Sequence, residues 1–122
     1  DRGDVTVVAG CQGGRAQPWI LAQLLPDATD PATDLDELLG RPRWVIGDRD
    51  LGHDRLTLVT EPGVDPEVIE RADSLDLGVA VFPGPADEAG HVQLVRRVGA
   101  AGVRDAASDP RADGGAVLLP AS

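Results

Sequence analysis

The sequence predicts a three-layer α/β domain built on a mainly parallel sheet. Short apolar runs rich in β-branched residues, bounded by Gly, Pro and Asp, are typical of buried strands. Segments with apolar residues at helical spacing lie between most of these runs. Runs that are apolar throughout are expected where helices cover both faces of a sheet. This alternation favours parallel strands joined by right-handed crossovers, with any ligand beyond the carboxyl ends of the strands.

Four apolar runs predict the strands, at residues 5–9, 44–48, 56–60 and 77–82. We take the second and third runs as the middle of the sheet, and the acidic segment between them as the loop that leaves the first of the pair. The expected buried anchors of the strands and helices are Val7, Ile46, Leu58, Val81, Ile69 and Val95.

Four segments have helical patterns. Pro18 suits the first turn of a helix that ends at Pro26, and a short helix with leucines on one side ends at Gly40. Asp65 and Pro66 open a third helix with a capping carboxylate and a proline at its first position. A fourth helix is predicted over residues 86–98 from the spacing of its apolar residues, which are Ala89, Val92, Val95 and Val98.

The composition divides the chain into two regions. Residues 1–99 carry the predicted elements and form one α/β domain, whereas residues 100–122 are rich in Ala, Gly and Asp and indicate a tail or linker with one short apolar run. The chain contains no methionine, so we expect it to belong to a longer protein.

The charge balance is strongly acidic. Against 21 acidic residues stand 11 arginines and no lysine, for a formal net charge of −10. Such a surface repels phosphate backbones and anionic lipid, so we expect neither nucleic acid binding nor membrane insertion. A single cysteine cannot form an internal disulfide, and the first residues do not resemble a signal peptide. These observations predict a cytoplasmic protein.

The strand ends invite comparison with the receiver domains of response regulators. Asp48 follows the second apolar run, where it resembles the phosphoacceptor, and Thr60 ends the next run, where the family places a Ser or Thr. The magnesium-binding acidic pair is replaced by Ala9 and Gly10, and the conserved lysine by Phe82. Without these groups the charge that develops in phosphoryl transfer has no clamp, so we expect no catalysis, no phosphorylation at Asp48 and no cofactor.

These departures resemble the degenerate, pseudo-receiver domains at the front of septum-site and pilus-assembly proteins of the MinD/ParA ATPase kind, including the CpaE and TadZ groups. The resemblance covers about residues 5–99 and implies a flavodoxin-like, receiver-like fold. It also implies a regulatory module that docks on a protein partner or forms a homodimer. Receiver-like domains pair through their last helices, so the resemblance points to an interface containing Arg71, Arg96 and Arg97.

Three features keep an enzyme or a nucleotide-binding domain as the alternative. The turn formed by Gly10, Cys11, Gly13 and Gly14 could present N–H groups to a phosphate, although the lysine of a phosphate loop is absent. A helix N-terminus could activate the Cys11 thiol. Residues 48–54 carry carboxylates and a histidine that could bind a metal. A structural role is the preferred interpretation of each, and the candidate ligand-binding residues are Gly10, Cys11, Gly13, Gly14, Asp48 and Thr60.

Overall fold

The structure is a computed structural model that describes residues 4–100, 102 and 104–120, so the outer limits of the two predicted regions, residues 1 and 122, lie outside it. Its helices are α1 (Gln17–Ala28), α2 (Leu35–Gly40) and α3 (Pro66–Ser74). Its strands are β1 (Val5–Gln12), β2 (Trp44–Gly47), β3 (Thr57–Thr60), β4 (Gly78–Val81), β5 (His91–Val98) and β6 (Arg104–Ser108). Of the helices in this part of the chain, none is long and apolar enough to span a membrane.

The strands form two three-stranded sheets, in the orders β1–β5–β6 and β2–β3–β4. All pairs in the first sheet are antiparallel, and so is the pair β2–β3. Among the described strands, β3 and β4 alone pair in parallel. The predicted mainly parallel, flavodoxin-like or receiver-like sheet is therefore wrong.

Chain length explains the direction of the pairs in the second sheet. Parallel neighbours need a crossover of a dozen or more residues, whereas antiparallel neighbours can be joined by a short loop. The connection from Gly47 to Thr57 contains no long helix, and the two strands run antiparallel. The connection from Thr60 to Gly78 includes α3, and these strands run parallel.

The predicted fourth helix is instead strand β5, preceded by a 3₁₀ turn at Asp87–Ala89. Alternate side chains of β5 are buried, namely those of Val92, Leu94 and Arg96. Burial of every second residue is typical of a strand with one covered face. The helix prediction rested on apolar residues spaced three apart, and this spacing does not match the burial observed in β5. Val95, an expected anchor, consequently lies on the open face and is 49% exposed.

One core joins α1, α2 and both sheets. It contains Ile20 and Leu24 of α1 and the three leucines of α2, packed against Val45, Val59, Val92, Leu94 and Ala107 of the strands. Asp34 caps the start of α2, since its carboxylate accepts a hydrogen bond from the Glu37 N–H at 2.9 Å. The predicted cap of α3 is confirmed, since Asp65 accepts from the Glu67 N–H.

The remaining expectations meet mixed outcomes. Leu58 is buried as expected, whereas Val81 on β4 is 59% exposed. The first helix continues past Pro26 to Ala28. Within the region predicted as a tail or linker, residues 104–108 form β6 and pair with β5. The boundary at residue 99 stays a prediction.

The alternation of β5 can be tested by two truncations of neighbouring residues. Leu94 is fully buried, so Leu94→Ala should lower the free energy of unfolding by about 2–5 kcal/mol through lost burial and the cavity left behind. Val95→Ala, on the open face, should change it by less than about 0.5 kcal/mol. Urea unfolding of both variants measures this, and equal losses would contradict the strand assignment.

Candidate functional site

A cleft of about 540 Å³ opens where the glycine-rich end of β1 meets the segment before β5. The volume lies within the range of small-molecule sites. One side of the cleft carries a glycine turn, and the other carries carboxylates. Its lining residues are Gln12, Gly13, Gly14, Arg15, Ala16, Asp50, Leu51, Asp87, Glu88 and His91.

The glycine turn links β1 to α1. Gly14 has φ of +53°, a left-handed conformation that glycine adopts without strain, and it begins a 3₁₀ turn that continues directly into α1. The first N–H groups of a helix have no intrahelical acceptor. The Ala16 and Gln17 N–H groups donate to the Gly13 and Gly14 carbonyls, and Pro18 has no N–H. The backbone donors that this turn can offer to an oxyanion in the cleft are therefore those of Gly14 and Arg15, which line it.

Gly13 and Gly90, on the two sides of the cleft, both lie close to the Ile20 side chain. A Cβ added at Gly13 would lie 3.0 Å from Ile20 Cδ1, and one added at Gly90 would lie 2.5 Å from the same atom. Gly90 also has φ of +78°. Any larger residue at Gly90 would therefore displace Ile20 or the backbone at the start of β5.

The opposite side is an acidic wall, which we define as Asp87, Glu88 and His91. Asp87 and Glu88 are exposed in the 3₁₀ turn, and Asp87 Oδ1 lies 3.3 Å from His91 Nε2. Asp50, from the loop after β2, adds a third carboxylate to the lining. With Arg15 as the opposing arginine, the cleft carries more negative than positive charge.

A charge quartet, which we define as Arg43, Glu61, Asp109 and Arg111, lies buried in the protein. Arg43 Nη1 lies 2.6 Å from Asp109 Oδ2, and Arg111 Nη1 lies 3.1 Å from Asp109 Oδ1. Arg111 also binds Glu61 through two nitrogens, one of them Nε at 2.8 Å from Oε2. All four side chains are at most 4% exposed. Two positive and two negative charges thus compensate each other directly through paired contacts.

The environment of the quartet shifts the pKa of its acids downward. Burial alone would raise the pKa of Glu61, but the Arg111 hydrogen bonds and the N–H groups of Ala86 and Arg43 outweigh it and lower that pKa. The pKa of Asp109 is also lowered, because the Arg111 N–H and the charge of Arg43 outweigh burial. Burial, followed by the like charge of Arg111, lowers the pKa of Arg43, which an arginine tolerates without losing its proton.

Cys11 lies under the glycine turn. Its Sγ would be 3.5 Å from a Cβ at either Gly13 or Gly90. Burial raises the pKa of the Cys11 thiol, and the nearby charge of Arg43 only partly offsets this. The thiol is therefore protonated near neutral pH and is a poor nucleophile.

The other predicted ligand-binding residues lie apart from the cleft lining. Gly10 is in β1 opposite Gln93, with open space around its Cα. Thr60 is buried in β3. Asp48 accepts a hydrogen bond from the Arg49 N–H at 2.7 Å and caps a short 3₁₀ turn. Within the described parts of the chain, no three His, Cys, Asp or Glu side chains gather in a way that could hold a metal ion.

The three predicted interface arginines have different surroundings. Arg96 is buried, pairs with Asp105 at 2.6 Å and donates to backbone carbonyls after α1. Arg97 is exposed on β5. Arg71 is exposed on α3 and borders a second, more apolar groove of about 530 Å³ that also contains Trp19 and Trp44. Their role in an interface stays a prediction.

Sequence reasoning missed the charge quartet entirely. No sequence pattern singles out Arg43 or Glu61 as a site residue, and Asp109 and Arg111 lie in the predicted tail or linker. One signal was available, because Glu61 and Arg43 adjoin apolar strands where isolated charges are rarely placed unless paired. Which acid pairs with which arginine depends on the tertiary fold.

Comparison with known proteins gives the fold a context. No protein-family model matches the chain. Over 111 residues the chain is 32% identical to an oxamate amidohydrolase proenzyme of Klebsiella pneumoniae subsp. pneumoniae, covering 90% of this chain and 20% of that protein. The chain thus spans about a fifth of the curated relative it matches.

Two solved structures share the fold. The transpeptidase enzyme CapD of Bacillus anthracis matches with a TM-score of 0.71 at 23% identity, over 98% of this chain and 68% of that one. A cephalosporin acylase from Bacillus halodurans matches with a TM-score of 0.70 at 20% identity, over 93% of this chain and 20% of the acylase chain.

These findings correct the functional predictions. Nothing in the comparisons supports a receiver domain, so the pseudo-receiver resemblance and the link to MinD/ParA-type ATPases are wrong. The expectation of a non-catalytic regulatory module is likewise contradicted, because the similar proteins are an amidohydrolase proenzyme, a transpeptidase and an acylase. The enzyme alternative fits the comparisons better than the main prediction.

The lowered pKa values of Glu61 and Asp109 predict acid sensitivity. A carboxylate whose pKa is lower in the folded state stabilises the fold above its unfolded pKa of about 4, and this contribution is lost as pH falls through the folded value. Asp109→Asn should remove part of this pH dependence and cost about 3–5 kcal/mol at neutral pH, because Arg43 loses its counter-charge.

Asp27→Asn is the matched control, since Asp27 pairs with Arg41 at 2.7 Å on the exposed surface. It should change the free energy of unfolding by less than about 1 kcal/mol. Denaturant unfolding between neutral pH and about pH 3 measures both variants. Equal pH dependence in Asp109→Asn and the unmodified protein would refute the assignment.

Proposed function

We propose that this chain forms the substrate-binding part of an amide-bond hydrolase or acyl transferase of the Ntn-hydrolase kind. The observation that carries the proposal is the glycine turn, which opens α1 and lines one side of a cleft of suitable size. The amidohydrolase, transpeptidase and acylase that share sequence or fold with the chain support the same reaction class.

The glycine turn supplies electrostatic stabilisation in this proposal. Attack on an amide carbonyl places negative charge on its oxygen, and preorganised N–H donors stabilise that oxyanion more than they stabilise the substrate. The Gly14 and Arg15 N–H groups, in the turn that leads into α1, provide donors of this kind, and the positive end of the helix dipole adds to their effect. Gly14 permits the left-handed turn that presents them.

The nucleophile comes from outside the cleft lining. The described residues that line the cleft carry neither a hydroxyl nor a thiol, and burial keeps the neighbouring Cys11 protonated. The curated relative is a proenzyme about five times as long as the matched region. We therefore assign the nucleophile to a segment of the complete protein outside the described cleft lining.

Gly13→Ala tests the oxyanion role. The added Cβ presses on Ile20 and shifts the turn by a few tenths of an ångström, so kcat/KM for an amide substrate should fall about 100-fold in the protein expressed from its complete coding sequence. Gly10→Ala is the control, because nothing lies within 4 Å of the added atom. Its activity should stay within about two-fold of the unmodified protein.

A panel of anilides of small acyl groups, followed by release of the aniline, provides the assay. Thermal unfolding of each variant separates a shifted turn from a destabilised fold. Absence of amide hydrolysis in the unmodified protein across the panel, or equal activity in Gly13→Ala and Gly10→Ala, would refute the proposal.

The carboxylates of the cleft should set its charge preference. With Asp50, Asp87 and Glu88 against Arg15, we expect amides that carry an ammonium group to be preferred over otherwise similar amides that carry a carboxylate. The double change Asp87→Asn with Glu88→Gln should reduce this preference about five-fold, the effect of one exposed charge pair.

The chain offers a matched control in a second exposed Asp-Glu dipeptide. Asp36 and Glu37 lie in the first turn of α2, outside the cleft lining, so Asp36→Asn with Glu37→Gln makes the same change in net charge. The ratio of kcat/KM values for the two substrates reports the preference. An equal change of this ratio in both double variants would show that net charge, not the cleft, decides.

A further inference from the structure

The charge quartet and the acidic wall are connected through the backbone. The wall residues belong to the segment from Ala86 to Val92, which enters β5. The Ala86 N–H donates to Glu61 Oε2 at 2.9 Å, and the Val92 N–H donates to Asp109 Oδ2 at 2.9 Å. Between them, Arg43 Nη1 donates to the carbonyls of Ala89 and Gly90 at 3.2 and 3.1 Å.

The quartet also connects the wall segment, residues 86–92, to the end of α2. Arg43 Nη2 and Arg111 Nη1 both donate to the Leu39 carbonyl, at 3.0 and 2.8 Å, and Arg111 Nη2 donates to the Arg41 carbonyl. These carbonyls lie at the end of α2, which has few intrahelical donors. The wall is therefore tied to the end of α2 by charge-assisted hydrogen bonds.

We propose that the charge quartet positions the acidic wall of the cleft, with Arg43 as its central positioning residue. The inference rests on the proposed function for its catalytic consequence. The cleft lining among the described residues includes no member of the quartet, so its effect on a bound substrate passes through the backbone of the wall. Arginine is needed at this position because its planar guanidinium contacts the Asp109 carboxylate and three backbone carbonyls at the same time. These carbonyls belong to Ala89, Gly90 and Leu39.

The anchoring can be measured first in the unmodified protein. If the quartet fixes the wall, the amide protons of Ala86 and Val92 should exchange with solvent only on global unfolding, as slowly as that of Leu94 in the core of β5. Fast exchange of both amides by local opening would overturn the inference without the need for any variant.

Arg43→Lys then tests the positioning role. Lysine keeps the positive charge but lacks the several N–H groups of the planar guanidinium, so the wall segment should lose hydrogen bonds. We therefore expect the ring ¹H–¹⁵N shifts of His91 to move and the amide protons of Ala86 and Val92 to exchange faster. Arg41→Lys is the matched control on the other side of Pro42, because the Arg41 side chain is exposed and pairs with Asp27. Its His91 shifts should stay unchanged, and with two histidines in the chain the signals are readily assigned.

Glu61→Gln provides a second test in case the Arg43→Lys protein does not fold. It is nearly equal in shape and keeps one acceptor oxygen, yet it weakens the contact to the Ala86 N–H, so the same shifts should respond. An unmoved wall in a folded Arg43→Lys or Glu61→Gln protein would overturn the inference.

Catalysis provides the last readout and separates the two proposals. In the protein expressed from its complete coding sequence, a displaced wall should lower kcat/KM for an amide substrate about 10- to 100-fold, mainly through KM, while Arg41→Lys stays near the unmodified value. A displaced wall with unchanged turnover would refute the catalytic role of the cleft and leave the structural coupling in place. A wall that does not move would refute the coupling itself.

Discussion

The fold depends on four charges that have been removed from water. Each acid of the charge quartet meets arginine nitrogens and backbone N–H groups, and its arginines use carbonyls as further acceptors. Such an arrangement is costly to bury and still more costly to break, since removal of one partner leaves a buried charge worth about 3–5 kcal/mol. The quartet is therefore better understood as a specificity device than as a source of net stability.

The charge quartet connects the two sheets, which share no strand pairing within the described residues. Glu61 follows β3 of one sheet, whereas Asp109 follows β6 of the other, and the arginines close the gap between them. Hydrophobic packing along α1 brings the sheets together without fixing their relative position, because it is non-directional. Charged hydrogen bonds have definite directions, and those of the quartet end on the segment that carries the acidic wall, so in our proposal they set where this wall stands relative to the glycine turn.

The sequence revealed the elements better than their assembly. The apolar runs located β1 to β4, and capping residues located α3, because both signals are local. Pairing direction is not local, although the short connection from β2 to β3 could have excluded a parallel pair. In β5, Arg96 occupies a buried position and interrupts the apolar alternation, which obscured the strand. The glycine turn was recognised, but its partner across the cleft was not, since only the fold brings residues 86–92 beside it.

The contact of Gly13 and Gly90 with the same methyl group of Ile20 has an evolutionary consequence. Gly13 can accept a side chain without displacing its neighbours only if Ile20 becomes smaller, and a smaller Ile20 leaves a void unless Gly13 is replaced. At Gly90 the φ of +78° strains any side chain, whatever the size of Ile20. Positions 13 and 20 therefore share one fixed volume, which Gly90 borders. Among descendants of this protein, substitutions at positions 13 and 20 should appear as correlated exchanges, whereas position 90 should remain glycine.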